Sequence, residues 1–215
     1  MTFAPPQFPD DFNMADWFVF SNIEAGRGEK TAIFFEGQKI SYRELAEKVT
    51  RVARNLVADG LLAEQRVLVC MQDRPEFAYA WFGALKAGAV VTQINPLLPA
   101  KDYEYYLSYV KPQFAFVDEQ SLPEFGKALA SSRHCGGGKD LIVVSENSPG
   151  GKPFGAWIAR ETDAEPWATK KDDPAVWLFT SGTTGKSKGA VHTHGHFPFN
   201  TEVYAKQFIG IRESD

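Results

Sequence analysis

Short apolar runs, separated by segments of helical character, limit what this chain can fold into more than any other feature. RVLVCM (66–71), AVVTQI (89–94), FAFVD (114–118), LIVVS (141–145) and AVWLF (175–179) are nearly continuous in apolar residues, as strands buried on both faces must be. Between the first two, a stretch opening at Pro75 places Phe77, Trp81 and Leu85 on one face and stops at Gly88, a helical pattern with proline in its first turn. Residues 101–110 carry Tyr105 and Tyr109 four apart and are halted by Pro112, and residues 122–131 also read as helix. Strands alternating with helices predict an α/β fold: a mostly parallel sheet flanked by helices. Such sheets bind ligands outside the carboxyl ends of their strands, so the loop after residue 179 is the first place to look.

The amino-terminal part reads differently. Pro5, Pro6 and Pro9 predict an extended arm. Asn13 precedes a helix bearing Met14, Trp17, Phe18 and Ile23, which stops near Gly26 and Gly28. TAIFF (31–35) and QKISY (38–42) flank Glu36-Gly37 as a β-hairpin. Ser41 and Glu44 form a capping-box pattern, and the helix they start carries Leu45, Val49, Val52 and Leu56 to a stop at Gly60. The expected division is therefore an arm, helix, hairpin and first long helix in residues 1–62 and the parallel-sheet portion in 63–215. SENSPGGKPFG (145–155) and ETDAEPWATKKDDP (161–174) read as flexible connectors.

Composition excludes several classes of function. The 23 basic and 27 acidic residues give a net charge of −4 with no basic block, so no nucleic-acid partner is expected. No apolar run approaches the ~18 residues of a membrane span, and MTFAPPQFPDD lacks the features of a secretory signal. A cytoplasmic protein without a membrane partner is expected. Cys70 and Cys135 stand alone in the sequence, which signals neither redox nor zinc chemistry.

The loop after the last apolar run carries the chemistry. Thr180-Ser181-Gly182-Thr183-Thr184-Gly185-Lys186-Ser187-Lys188-Gly189 packs three glycines, five hydroxyls and two lysines into ten residues with no acid. Glycines let the backbone turn its N–H groups onto an anion, hydroxyls add donors, and the lysines add compact positive charge. A nucleotide triphosphate suits such a cradle; an ordinary Ser/Thr/Gly-rich surface loop is the alternative. It is not a Walker A loop, because Thr180 stands where that motif needs glycine, and no GxGxxG occurs.

TSGTTGKSKG resembles the phosphate-binding signature of the adenylate-forming superfamily, (S/T)SG(S/T)TGxPKG. That superfamily comprises acyl- and aryl-CoA synthetases, luciferases and peptide-synthetase adenylation domains. The departure is Ser187, where proline is common. ISYREL (40–45) resembles the start of the family's first long helix, and LKAGA (85–89) with Asn95-Pro96 resembles its core segment. VHTH (191–194) and EVYAKQFIGIRESD (202–215) are most similar to the aryl-CoA ligases of the benzoate-CoA ligase type.

The resemblance implies a two-step reaction. A carboxylate attacks the α-phosphate of ATP to give an acyl-adenylate, and coenzyme A then displaces AMP. Thr180, Ser181, Thr183 and Thr184 would donate to the β- and γ-phosphates. Gly182 and Gly185 would permit close backbone approach. Lys188 would be the catalytic residue stabilising departing pyrophosphate, with Lys186 as a mobile helper and His194 supporting the loop. ATP and Mg2+ are implied, the magnesium ligands lying beyond residue 215, with CoA as co-substrate and a carboxylic acid as substrate. The 215 residues look like the amino-terminal part of such an enzyme, without its carboxyl-terminal domain and inactive alone. The remainder of the enzyme or a complementary chain is then the partner, and a homodimer is conceivable. The rival readings are a medium-chain or other fatty-acyl-CoA synthetase fragment, and a non-catalytic fragment that binds nucleotide or a partner.

Three further features have competing readings. His192, His194 and His196 would share a face of a strand and there hold a metal, or one of them supports the loop by a hydrogen bond. Tyr103, Tyr105, Tyr106 and Tyr109 suit packing better than base stacking, given no basic company. Trp17, Phe18 and Phe20 are expected to cover neighbouring elements; were those absent, the amino-terminal third would expose apolar surface.

Overall fold

The structure is a computed structural model describing residues 5–131, 140–145, 149–180 and 186–212. Strands β1 (Thr31–Phe35) and β2 (Gln38–Ser41) form an antiparallel hairpin. Glu36 and Gly37 both have positive φ, 48° and 79°, as the tight turns that match strand twist require. Ser41 then caps α2 (Tyr42–Ala58): its hydroxyl accepts the Glu44 N–H at 3.2 Å, and the Glu44 carboxylate accepts the Ser41 N–H at 2.7 Å. The stripe Leu45, Val49, Val52 and Leu56 is buried along α2. Ahead of the hairpin, Asp16–Phe20 is a π-helical stretch running into the single turn α1 (Ser21–Glu24).

The main sheet holds seven strands in the order β7-β6-β5-β3-β4-β8-β9. They are β3 (Arg66–Cys70), β4 (Val90–Gln93), β5 (Phe114–Asp118), β6 (Leu141–Val144), β7 (Lys152–Pro153), β8 (Pro174–Thr180) and β9 (Lys188–Thr193). All neighbours pair in parallel except β8 and β9. The crossovers are α3 (Pro75–Lys86), α4 (Ala100–Val110) and α5 (Leu122–Ser131). Alternation along β3 sorts the two faces, as the period of two demands. Val67, Val69 and Met71 join the core shared with α2, α3 and α6 (Phe154–Ile158). Leu68 and Cys70 join the one shared with Tyr103 and Leu107 of α4 and Phe125 of α5. Helices α2 and α3 approach closely at Gly83, where an added Cβ would sit 2.4 Å from Val52 Cγ1. The α/β fold with an amino-terminal helix and hairpin is thus the observed one.

Two expectations need correction. The segment 161–174 is a strap rather than a flexible connector. Trp167 Nε1 donates to the Leu61 carbonyl at 2.9 Å and Thr169 Oγ1 to the Phe12 carbonyl at 2.7 Å, while Lys171 N–H reaches Asp10 O at 3.0 Å. The strap therefore ties the amino-terminal arm to the amino ends of the strands. Segment 145–155 contains β7 and the start of α6. The aromatic residues near the amino terminus pack on neighbouring elements as expected, and apolar exposure clusters at the carboxyl end. Trp17, Phe18 and Phe20 are half-buried, whereas Tyr204, Phe208, Ile209 and Ile211 are exposed in and just after a π-helical stretch, Thr201–Ile209. That stretch follows the short helix α7 (His196–Asn200). No helix among the described residues is long and apolar enough to cross a membrane.

Candidate phosphate-binding site

The carboxyl ends of β3, β4, β5, β6 and β8 open onto one edge of the sheet, since these strands run in parallel. Among the described residues, two places on that edge stand out as candidates for a ligand. One lies between β3 and β5, where strand order reverses, beside a cleft of about 710 Å3 lined by Arg74, Glu119, Ser145 and Phe154. Its guanidinium is already neutralised: Arg74 bonds Glu76 at 2.9 Å and Glu119 at 3.2 Å. Two carboxylates against one arginine make a poor anion cradle. Nearby, Asp118 is buried and spent on structure, accepting the Gln72 N–H at 2.7 Å and the Ser121 N–H at 2.9 Å. Burial also pushes the Cys70 thiol up to about 12, so no thiolate nucleophile forms there near neutrality.

The other place is the end of β8. Thr180 ends that strand and pairs in register with Lys188, the first residue of the antiparallel β9. The two ends of the signature are therefore held side by side at the mouth of a hairpin. Thr180, Lys186 and Lys188 are exposed there, and Ser187 is half-buried between the lysines. Ser181, Gly182, Thr183, Thr184 and Gly185 lie outside the described residues. No acidic residue in the signature competes for the lysines.

Helix α4 supports this mouth. Tyr105 Oη donates to the Ser187 carbonyl at 2.6 Å, and Tyr106 Oη lies 3.3 Å from Ser187 Oγ. Tyr106 and Tyr109 pack edge-on against Phe179 of β8, with ring centroids 4.8 and 5.4 Å apart. Tyr103 instead points into the core, its hydroxyl donating to the Asn95 carbonyl at 3.2 Å. Packing is thus what these tyrosines do, but two of them also reach the signature. Sequence reasoning missed this role. The only trace of it is the 105, 106, 109 spacing on the helix that follows β4, the strand beside β8.

His194 does not sit with the loop. The ribbon partner of Thr193 is Pro174, at the opposite end of β8 from Thr180. Six residues of extended chain separate His194 from Lys188, about 20 Å. The imidazole is 1% exposed, and its Nδ1 accepts the Met14 N–H at 3.0 Å. Burial lowers its pKa to about 4, against the opposing pull of Asp173 and Asp16. His194 therefore fastens the amino-terminal arm to β9 in the neutral state. Nor do the three histidines share a strand face: β9 ends at Thr193, and His196, which begins α7, accepts the Thr193 N–H on Nδ1 at 3.2 Å.

A family model described as AMP-binding enzyme matches residues 20–214. The chain belongs to the AMP-binding enzyme family. It is 36% identical to the benzoate-CoA ligase of Thauera aromatica over 99% of this chain and 40% of that protein. Among solved structures it resembles an anthranilate CoA ligase in complex with anthranoyl-AMP, at a TM-score of 0.89 and 27% identity over 97% of this chain and 40% of that one. A benzoate CoA ligase from Burkholderia xenovorans superposes at 0.81, with 33% identity over 94% of this chain and 38% of that one. The chain spans about two-fifths of the length of these relatives. By family it thus belongs with the AMP-binding, adenylate-forming enzymes, and it is similar over nearly its whole length to aryl-CoA ligases.

Proposed function

We propose that this chain is the ATP-phosphate-binding, amino-terminal portion of an aryl-CoA ligase that activates a benzoate-like acid. The observation that supports the reading is the register of Thr180 against Lys188 at the carboxyl edge of the sheet, which holds the two ends of the signature side by side. Residues 1–62 supply the arm, hairpin and first helix that back the sheet, and residues 63–215 supply the sheet and the loop.

The acid needs no general base, because a carboxylic acid of pKa about 4 is ionised at neutral pH. Its oxygen attacks the α-phosphorus of ATP. A new P–O bond to the acyl oxygen forms, the bond to the β-phosphate oxygen breaks, and pyrophosphate leaves with the electron pair. The barrier is therefore one of charge: an anion approaches a polyanion, and negative charge builds on the leaving group. Thr180, Ser181, Thr183 and Thr184 donate to β- and γ-phosphate oxygens, Gly182 and Gly185 let the backbone come close, and Lys188 stabilises the departing pyrophosphate with help from Lys186. One preorganised donor of this kind is worth about 3 kcal/mol in the barrier. In the second step the CoA sulfur attacks the acyl carbon and AMP departs. Among the described residues no three Asp, Glu, His or Cys side chains converge to hold a metal ion, so the described residues do not build a magnesium site.

Calorimetric titration with ATP tests the reading. The chain should bind ATP, and Lys188→Ala should weaken binding about tenfold or more. In any longer product of the same gene, benzoate and hydroxybenzoates should release pyrophosphate from ATP faster than medium-chain acids. Preference for medium-chain acids would instead favour a fatty-acyl-CoA synthetase. Unchanged ATP binding by Lys188→Ala would remove the assigned role.

A further inference from the structure

Ser187 is held at both of its polar ends by one helix. Its carbonyl accepts the Tyr105 hydroxyl at 2.6 Å, and its own hydroxyl lies 3.3 Å from that of Tyr106. The two rings are fixed in turn. They meet edge-on at 5.5 Å, Tyr105 lies 5.8 Å from Tyr109, and Tyr106 packs on Phe179 at 4.8 Å. Phe179 is the residue before Thr180 on the strand entering the signature. Entry strand, buttressing helix and exit residue thus form one aromatic block. On the exit side, the Lys186 ammonium stands 5.8 Å from the Tyr105 ring centroid.

We propose that Tyr105 and Tyr106 are positioning residues for the phosphate-binding loop. They pin Ser187 so that Lys186 and Lys188, its two neighbours, present their charges from a fixed backbone. The proposal rests on the nucleotide-binding reading given above. Its physical basis is that a serine between two lysines leaves φ free, whereas proline at the same position would fix φ near −65°. The Tyr106–Ser187 hydroxyl pair supplies by hydrogen bonding the restraint that a ring would supply covalently. Tyr105 acts on a carbonyl that any residue possesses. The two tyrosines are therefore separable: only Tyr106 depends on the side chain at position 187.

That separation sets the experiment. Tyr105→Phe and Tyr106→Phe are each made in the native chain and in a Ser187→Pro background. ATP affinity is read by calorimetry, and amide hydrogen exchange is read on the peptide spanning residues 186–190. A hydrogen bond between neutral groups affects an equilibrium by roughly two- to tenfold. Tyr106→Phe should weaken ATP binding and speed exchange by about threefold in the native chain, and should do neither beside Ser187→Pro. Tyr105→Phe should weaken binding about fivefold in both backgrounds. A Tyr106→Phe effect that persists beside Ser187→Pro would overturn the proposal, as would unchanged exchange in both tyrosine variants. Failure of the unsubstituted chain to bind ATP would instead count against the nucleotide reading, while the exchange data still decide whether Ser187 is pinned.

Discussion

The buried His194 predicts a steep loss of stability in mild acid. Its Nδ1 accepts the Met14 N–H at 3.0 Å, and the side chain is 1% exposed. A proton on that nitrogen would remove the acceptor, set two N–H groups against each other and leave a charge without water. Burial lowers the folded-state pKa to about 4 from an ordinary 6.5, against the opposing pull of Asp173 and Asp16. The unfolded chain takes up the proton first, so this contribution is fully present above pH ~6.5 and is lost as pH falls from there towards 4. Linkage with these two values gives a loss of about 2 kcal/mol between pH 7 and pH 5. Asp10, Glu44, Asp59 and Glu124 also have lowered values. Their unfolded values lie near 4, so their contributions fade below this window. Urea midpoints measured at pH 7, 6 and 5 should fall accordingly. His194→Asn, which keeps an acceptor for Met14 but cannot titrate, should flatten the dependence; His192, also lowered by burial and by His196, leaves a small residue. A parent chain equally stable at pH 7 and pH 5, or a variant with the parent's slope, would refute the reasoning.

Other perturbations test the packing around the site. Asp59 collects Lys152, Trp157 Nε1 and Arg160 at 2.7–2.9 Å, joining the end of α2 to β7 and α6. Burial opposes its ionisation, but these three donors outweigh burial and hold the carboxyl below its usual range. Asp59→Asn should cost about 2 kcal/mol, less than a fully buried pair because both cations are part-exposed; an unchanged urea midpoint would contradict this. Gly83→Ala should cost about 1–3 kcal/mol by overpacking, since its Cβ would meet Val52 Cγ1 at 2.4 Å and the Val49 carbonyl at 3.2 Å; thermal melting is the check. The exposed Tyr204, Phe208, Ile209 and Ile211 should make the chain self-associate with rising concentration. Phe208→Ser should reduce that association in sedimentation, and a parent chain monomeric at all concentrations would refute it.

The sheet was legible in the sequence because burial on both faces leaves the buried part of a strand such as Val67–Cys70 of β3 no charged position. The hairpin and the capping box were legible because they depend on local chemistry at Glu36-Gly37 and Ser41/Glu44. Strand β9 was not, because KGAVHT has few apolar residues and none of them is buried. It is a strand through its ladder with β8 rather than through its own pattern. The strap 161–174 escaped for a related reason. Its polar composition reads as loop, yet Trp167 and Thr169 are fixed by carbonyls at Leu61 and Phe12, far off in sequence. His194 was misplaced because position along a hairpin cannot be known until the second strand is recognised.

The geometry at β8 also changes how an anion must be held. In the usual strand–loop–helix arrangement, the helix N-terminus supplies oriented N–H groups and partial positive charge to a phosphate. Here the chain leaving the signature becomes β9, and the next helix, α7, begins only at His196, beyond the far end of the ribbon. Sheet strands carry little net dipole. On the proposed reading, long-range attraction for phosphate would therefore fall to Lys186 and Lys188. Two exposed point charges are screened by salt much more strongly than a buried array. ATP affinity should thus drop markedly with ionic strength, and Lys188→Ala should reduce the salt dependence as well as the affinity. A salt response identical in parent and variant would mean that the lysine does not contribute through its charge.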